Sequence, residues 1–221
     1  MTVCDISPRR KSRVALTLLP PPPTDLAGAE YEGEKLLIDK VIAARCNIAK
    51  GTELEPDDIK QLIFVSECYR AKQKAIWLLS GQDYSEKGLY EKLLKAFTPK
   101  ASAFAVAQMI ERGYINDEKF AAQLSEKFKS NNLSKRQIAT KLMQKGISKQ
   151  IVDSIFKNDD TANTDFERAL KLIKTKYINK LSTKEDRQKT FLALMRRGFL
   201  VEDIKKAIAS FNDDCFQEEI Y

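Results

Sequence analysis

Any chemistry in this chain has to be done without histidine. None occurs in its 221 residues, which removes the commonest neutral-pH general base and the commonest zinc ligand. Cys4, Cys46, Cys68 and Cys215 are scattered, with no C-x-x-C pair, so neither a zinc site nor another cofactor is expected. Isolated cysteines without a secretory signal read as free thiols in a reducing cytoplasm. Nor is there a Gly-x-Gly-x-x-Gly, a phosphate-binding Gly-Lys-Ser/Thr or a nucleophile elbow, and the chain is not expected to be an enzyme. What remains is charge. The formal net charge is +7, and residues 66–156 carry 16 Lys and Arg against 9 Asp and Glu, while residues 1–65 carry 9 against 10 and residues 157–221 carry 13 against 12. An excess of this kind suits a polyanionic partner, nucleic acid or a nucleoprotein assembly. The plain alternative is a solvated, lysine-rich helical surface.

The cations that matter most are Lys127, Lys129, Lys135, Arg136, Lys141 and Lys145, joined by Arg196 and Arg197 further on. Lys141 and Lys145 are four apart on one helix face, a like-charge pair that costs a helix on the order of a few tenths of a kcal/mol. A polyanion would turn that small cost into a gain. Trp77 and Phe97, Phe120, Phe128 and Phe199 stand at helical spacing and read as core, whereas an aromatic that stacks a base has to be exposed.

Helices have to position these groups. A unit returns about every 50 residues, marked by Lys95-Ala96-Phe97, Lys145-Gly146-Ile147 and Arg197-Gly198-Phe199; such a period signals a stacked helical array. The first unit, 66–115, holds helices over Tyr69–Ser80, Glu86–Ala96 behind a Ser85 cap, and Ala101–Arg112 after Pro99. The second, 116–158, opens at Asn116 or Asp117, continues from the Ser134 cap with Gln137 three residues on, and closes with Lys149–Phe156 behind Ser148. The third, 159–211, follows an acidic linker, Asp159–Thr164, and has helices over Asp165–Tyr177, Thr183–Arg197 and Val201–Phe211. Gly113, Gly146 and Gly198 read as helix C-caps. An acidic tail without fixed structure, 212–221, ends the chain.

Residues 1–65 read as a small α+β cap. Residues 1–12 are polar and expected to fray; Arg13–Leu19 and Glu34–Ile38 form a strand pair, with Pro20–Pro23 as a stiff connector. Asp39–Cys46 is helical, and a further helix opens at Glu55-Pro56. No stretch approaches the roughly 20 apolar residues that a membrane span needs, and a soluble cytoplasmic protein is expected.

Several runs together resemble the RecX family of RecA regulators. They are Gly113-Tyr114-Ile115-Asn116-Asp117-Glu118-Lys119-Phe120-Ala121, Ser134–Ile147 and Arg196-Arg197-Gly198-Phe199, supported by Ala71–Leu79, Tyr84-Ser85-Glu86-Lys87 and Leu89–Leu94. The resemblance covers residues 66–210, with a weaker similarity over 13–63. It implies a mainly α fold, three tandem three-helix repeats in an elongated, curved array behind a small N-terminal α+β cap. It also implies a monomer that lies along a RecA filament on single-stranded DNA and inhibits its ATPase, strand-exchange and coprotease activities. Direct contact with single-stranded DNA would be weak and non-specific. The chain departs from the family pattern at Ala96, where Lys-Gly-Phe is usual, in the Pro20–Pro23 and Gly28–Gly33 stretches, and in the acidic linker. The rival reading is a non-specific DNA-binding repeat protein, since three-helix units also resemble helix-turn-helix modules.

Overall fold

Alternation of apolar residues builds the N-terminal sheet. In a computed structural model, which describes residues 1–10, 12–23, 25–157, 164–178, 181 and 183–218, four strands run antiparallel: β1 (Thr2–Arg9), β2 (Arg13–Leu19), β3 (Glu30–Glu32) and β4 (Lys35–Asp39), in the order β1-β2-β4-β3. Val14 pairs with Ile38 and Leu16 with Leu36, a register that keeps both apolar rows on one buried face. β2 and β4 are the strand pair that the sequence predicts. Residues 2–9, expected to fray, form an edge strand instead. Val3 is fully buried, its N–H donates to the Thr52 carbonyl at 2.9 Å, and its own carbonyl accepts from Gly51 at 2.8 Å. Polar composition misled here because only alternate residues of a half-buried strand need be apolar.

Asp39 ends the sheet and caps α1 (Lys40–Arg45), its side chain accepting the Val41 N–H at 2.9 Å. Next, α2 runs unbroken from Pro56 to Gly81. Patterning predicts two helices on either side of Ser66, but no glycine or proline interrupts residues 57–80, and one helix forms. Its first half packs Ile59, Leu62 and Ile63 under the sheet, and its second half packs Cys68, Ala71 and Ala75 against α3 (Glu86–Leu93) and α4 (Pro99–Glu111). Fully buried alanines face each other across α2 and α4, Ala71 and Ala75 with Ala101 and Ala105, so the backbones approach closely. Ser85 and Thr98 cap α3 and α4 by accepting the N–H groups of Gly88 and Ala101.

The chain divides into two compact units, residues 1–116 and 117–221. The second contains α5 (Asp117–Ser130), α6 (Lys135–Gln144), α7 (Lys149–Lys157), α8 (Asp165–Leu172) with a π-helical continuation Ile173–Tyr177, α9 (Lys184–Arg196) and α10 (Val201–Glu218). Ala121, Ile138, Leu142, Ile147 and Val152 make one core of this unit; Ala169, Leu172, Ile173, Leu194, Phe199, Ile204 and Ala207 are in the other. The periodic residues Ile147 and Phe199 are both 3% exposed, which explains the repeat: each is the apolar residue delivered to its core straight after a helix-ending glycine. Gly113, Gly146 and Gly198 do close α4, α6 and α9. Thr164 caps α8 in a reciprocal pair with Glu167; the rest of the expected acidic linker, 159–163, lies outside the described residues. α10 runs past the expected end at Phe211 as far as Glu218, since no glycine or proline stops it, and residues 219–221 of the expected tail are outside the described set. The molecule is mainly α with a small N-terminal α+β cap.

Candidate functional site

The eight candidate cations occupy two kinds of position. Lys127 and Lys129 lie in the last turn of α5, Lys141 and Lys145 at the end of α6, and Arg196 and Arg197 at the end of α9. A cation there faces the negative end of the helix dipole and gains ~0.3–1 kcal/mol, so all six have a local reason for their place. Lys129 is 8% exposed and its Nζ donates to Glu126 Oε1 at 3.0 Å, which takes it out of any surface offered to a partner. Lys141 sets its Nζ 5.9 Å from the centre of the Phe128 ring on α5. Lys127, Lys141 and Lys145 are exposed.

Lys135 and Arg136 are different, because they open α6 at the positive end of its dipole, where a cation is disfavoured. That end is firmly built. Ser134, itself fully buried, accepts the Gln137 N–H at 3.2 Å and donates its hydroxyl to the Arg197 carbonyl at 2.7 Å. The Lys135 N–H donates to both carboxylate oxygens of Asp165, at 2.9 and 3.3 Å. Asp165 in turn pairs at 2.5 Å with Arg168, whose side chain is completely buried. Asp203 on α10 feels the same carboxylate: its own burial first, and Asp165 next, push its carboxyl above the ordinary 3.8, with Lys206 and Arg168 pulling the other way.

Gly198 brings the end of α9 onto this helix start. A Cβ at Gly198 would stand 2.9 Å from Ser134 Oγ and 3.5 Å from Arg136 Cβ. The helix start that carries Lys135 and Arg136 and the helix end that carries Arg196 and Arg197 therefore share one joint. Among the described residues none of the four is in an ion pair, and Asp165, the acid at this helix start, is bonded to Arg168 and the α6 backbone. Lys145 lies about 15 Å further along the axis from Lys135, at about 1.5 Å per residue. The predicted patch is thus a cationic joint, a separate group at the far end of α6, and one buried lysine.

Sequence reading missed Asp165 and Arg168. Their signal is an acid and an arginine three apart, with the arginine on the apolar side of α8 beside Ala169 and Leu172. Ser134 was legible as a cap, but its second bond, to Arg197 across 63 residues, was not. Trp77, expected in the core, is 64% exposed. It points away from Cys68, Ala71 and Ala75, the residues that α2 buries. Among the described residues no helix is long and apolar enough to cross a membrane.

Capped helical modules, a periodic closing glycine and a charged joint built by helix ends define a helical-repeat protein. Residues 163–208 match the description of a family, RecX, third three-helix domain. The chain is 30% identical over 162 residues to Regulatory protein RecX of Caldanaerobacter subterraneus subsp. tengcongensis, covering 73% of this chain and 80% of that protein. It is 28% identical over 176 residues to Regulatory protein RecX of Clostridioides difficile, covering 78% and 82%. A crystal structure of regulatory protein RecX superposes with a TM-score of 0.64 at 20% identity, covering 93% of this chain and 98% of that one, a likeness of fold. This chain belongs to the RecX family of regulatory proteins.

Proposed function

We propose that this protein binds the RecA filament assembled on single-stranded DNA and restrains it, lowering its ATPase, strand-exchange and coprotease activities. Family membership supports the choice of partner. The observation that carries the site is the pair of cations, Lys135 and Arg136, held at the disfavoured end of α6 and set beside Arg197. The helix dipole disfavours cations there, and an acidic protein surface or DNA phosphate would offset that cost. Arg196, Lys127, Lys141 and Lys145 extend the surface; Lys129 is left out of it. In this reading three three-helix repeats, 66–115, 116–158 and 159–211, form the binding array of a cytoplasmic monomer, behind the cap of residues 1–65 and ahead of the acidic 212–221. It acts by contact, without catalytic residues or a cofactor.

The test is the single-strand-dependent ATPase of the cognate RecA, titrated with this protein from substoichiometric to equimolar ratios. Inhibition below the level needed to coat the DNA is the expected result. K135E/R136E should lose most of that inhibition while melting close to wild type, because the dipole at the start of α6 favours acids. Full inhibition by the folded double variant would remove the joint from the interface. No inhibition by the wild type, together with strong salt-sensitive binding to naked DNA, would replace the filament reading with direct nucleic-acid binding.

A further inference from the structure

Trp77 is the chain's single tryptophan, and 64% of it is left in water. Burying that ring is the largest hydrophobic gain one side chain offers, so its position calls for another use. Arg70, Gln73, Lys74 and Trp77 stand at i, i+3, i+4 and i+7 and share one stripe along α2. Lys74 places its Nζ 3.8 Å from the centre of the indole ring, close enough to hold the ring by cation–π attraction from one side. Gln73, Lys74 and Ser80 beside it are polar and exposed, with Ile76 the one exposed apolar neighbour, and no acid occurs between Cys68 and Gln82. At its other end the stripe enters a cleft of about 520 Å³ lined by Arg13, Glu30, Arg70, Gln73 and Phe97 among others. There both Arg13 and Arg70 are paired with Glu30. Lys74 has no carboxylate partner among the described residues.

We propose that Trp77 and Lys74 form a stacking site for one base of a single-stranded nucleic acid. The base lies on the face of the indole away from Lys74, and the ammonium reaches the adjoining phosphate. What favours a polyanion is charge: Lys74 lies over the ring, Lys72 is nearby in sequence, and the stretch from Cys68 to Gln82 carries no acid to oppose a phosphate. Duplex DNA keeps its bases stacked on one another, so the partner is a single strand. The site belongs to the first compact unit, whereas the cationic joint belongs to the second, and it goes beyond the filament reading because it requires no RecA.

The lone tryptophan reports on its own site. The full-length protein is titrated with a short oligothymidylate, following both tryptophan emission and the anisotropy of a label on the DNA. Quenching that follows the same isotherm as the anisotropy is the expected result. W77A should weaken binding roughly tenfold, with W77F keeping part of it. K74E should weaken it and flatten the log–log salt dependence by about one unit of slope. Because Trp77 is mostly exposed, each variant should retain the wild-type melting temperature. Binding without quenching, an unchanged W77A affinity, or no binding of the oligomer each overturns the proposal. Emission that ignores the oligomer but shifts with RecA alone also overturns it, in favour of a protein contact. Inhibition of the RecA ATPase is a separate readout, so failure of the stacking site and failure of the filament reading are told apart.

Discussion

Gly198→Ala tests the joint between α6 and α9 most directly. Gly198 sits at φ +80, and any other residue in that left-handed region pays about 1 kcal/mol in backbone strain. The added methyl group would also stand 2.9 Å from Ser134 Oγ, closer than a Cβ is ever found to a hydroxyl. Ser134 has little freedom to retreat. Turning its hydroxyl away breaks the bond to the Arg197 carbonyl at 2.7 Å and the cap to Gln137 at 3.2 Å, worth about 1 kcal/mol each. The expected cost is therefore about 3 kcal/mol. Gly113 is the control, with φ +71 and nothing within 4 Å of its added Cβ, so Gly113→Ala should cost only the strain of about 1 kcal/mol. A double-mutant cycle separates the terms. Ser134→Ala alone removes the same two bonds, and in its background Gly198→Ala should cost the strain alone, a coupling of about 2 kcal/mol. Hydrogen exchange under native conditions reads local stability, at the α6 and α9 amides for Gly198→Ala and at the α4 amides of the first unit for Gly113→Ala. Equal costs for the two glycines and an additive cycle would falsify the close approach on which the joint rests.

Other expectations follow from the first unit. Glu67 is 3% exposed and accepts both the N–H and the hydroxyl of Thr98 at 2.7 Å; Glu67→Met, which fills the same space but accepts neither, should cost about 2 kcal/mol in thermal unfolding, and an unchanged melting temperature would remove that link between α2 and α4. Burial raises the Glu30 carboxyl, but the Arg13 hydrogen bond and the nearby Arg70 charge outweigh it and hold the group below its ordinary 4.5. Its contribution is thus present above pH 4.5 and lost as pH falls through the lower folded value; Glu30→Gln should flatten acid unfolding in that window, and an identical acid profile would refute the pairing. Burial, with Glu67 second, pushes the Cys68 thiol up to about 11, whereas Cys46 is exposed. Alkylation at pH 8 followed by peptide mapping should label Cys46 early and Cys68 only on unfolding, and early labelling of Cys68 would contradict its burial.

The sequence exposes most of the second unit because its signals are local. Ser134, Ser148 and Thr183 each announce a helix, and the closing glycines announce its end. The strands Thr2–Arg9 and Glu30–Glu32 were hidden because one is polar on alternate residues and the other is three residues long. The break expected near Ser66 does not form, because one helix serves two neighbours in turn, the sheet with Ile59, Leu62 and Ile63 and then α3 and α4 with Cys68, Ala71 and Ala75. Charge showed where cations gather but not how they are used. That Arg136 lies against Gly198, and Ser134 against the Arg197 carbonyl 63 residues away, depends on contacts that no local pattern encodes. Asp165 and Arg168 were overlooked because a buried ion pair is rare enough to be read as surface.

α2 carries a consequence for engineering. Helical repeats are commonly trimmed or extended one module at a time, since each depends only on its neighbours. Here one unbroken backbone ladder supports the sheet at Ile59, Leu62 and Ile63 and the first module at Cys68, Ala71 and Ala75. Severing it at either end strips a face from the helix that the other end relies on. The N-terminal sheet and the first three-helix module are therefore expected to open and close as one cooperative unit, so that a cut within α2 would expose buried apolar residues on both sides of it.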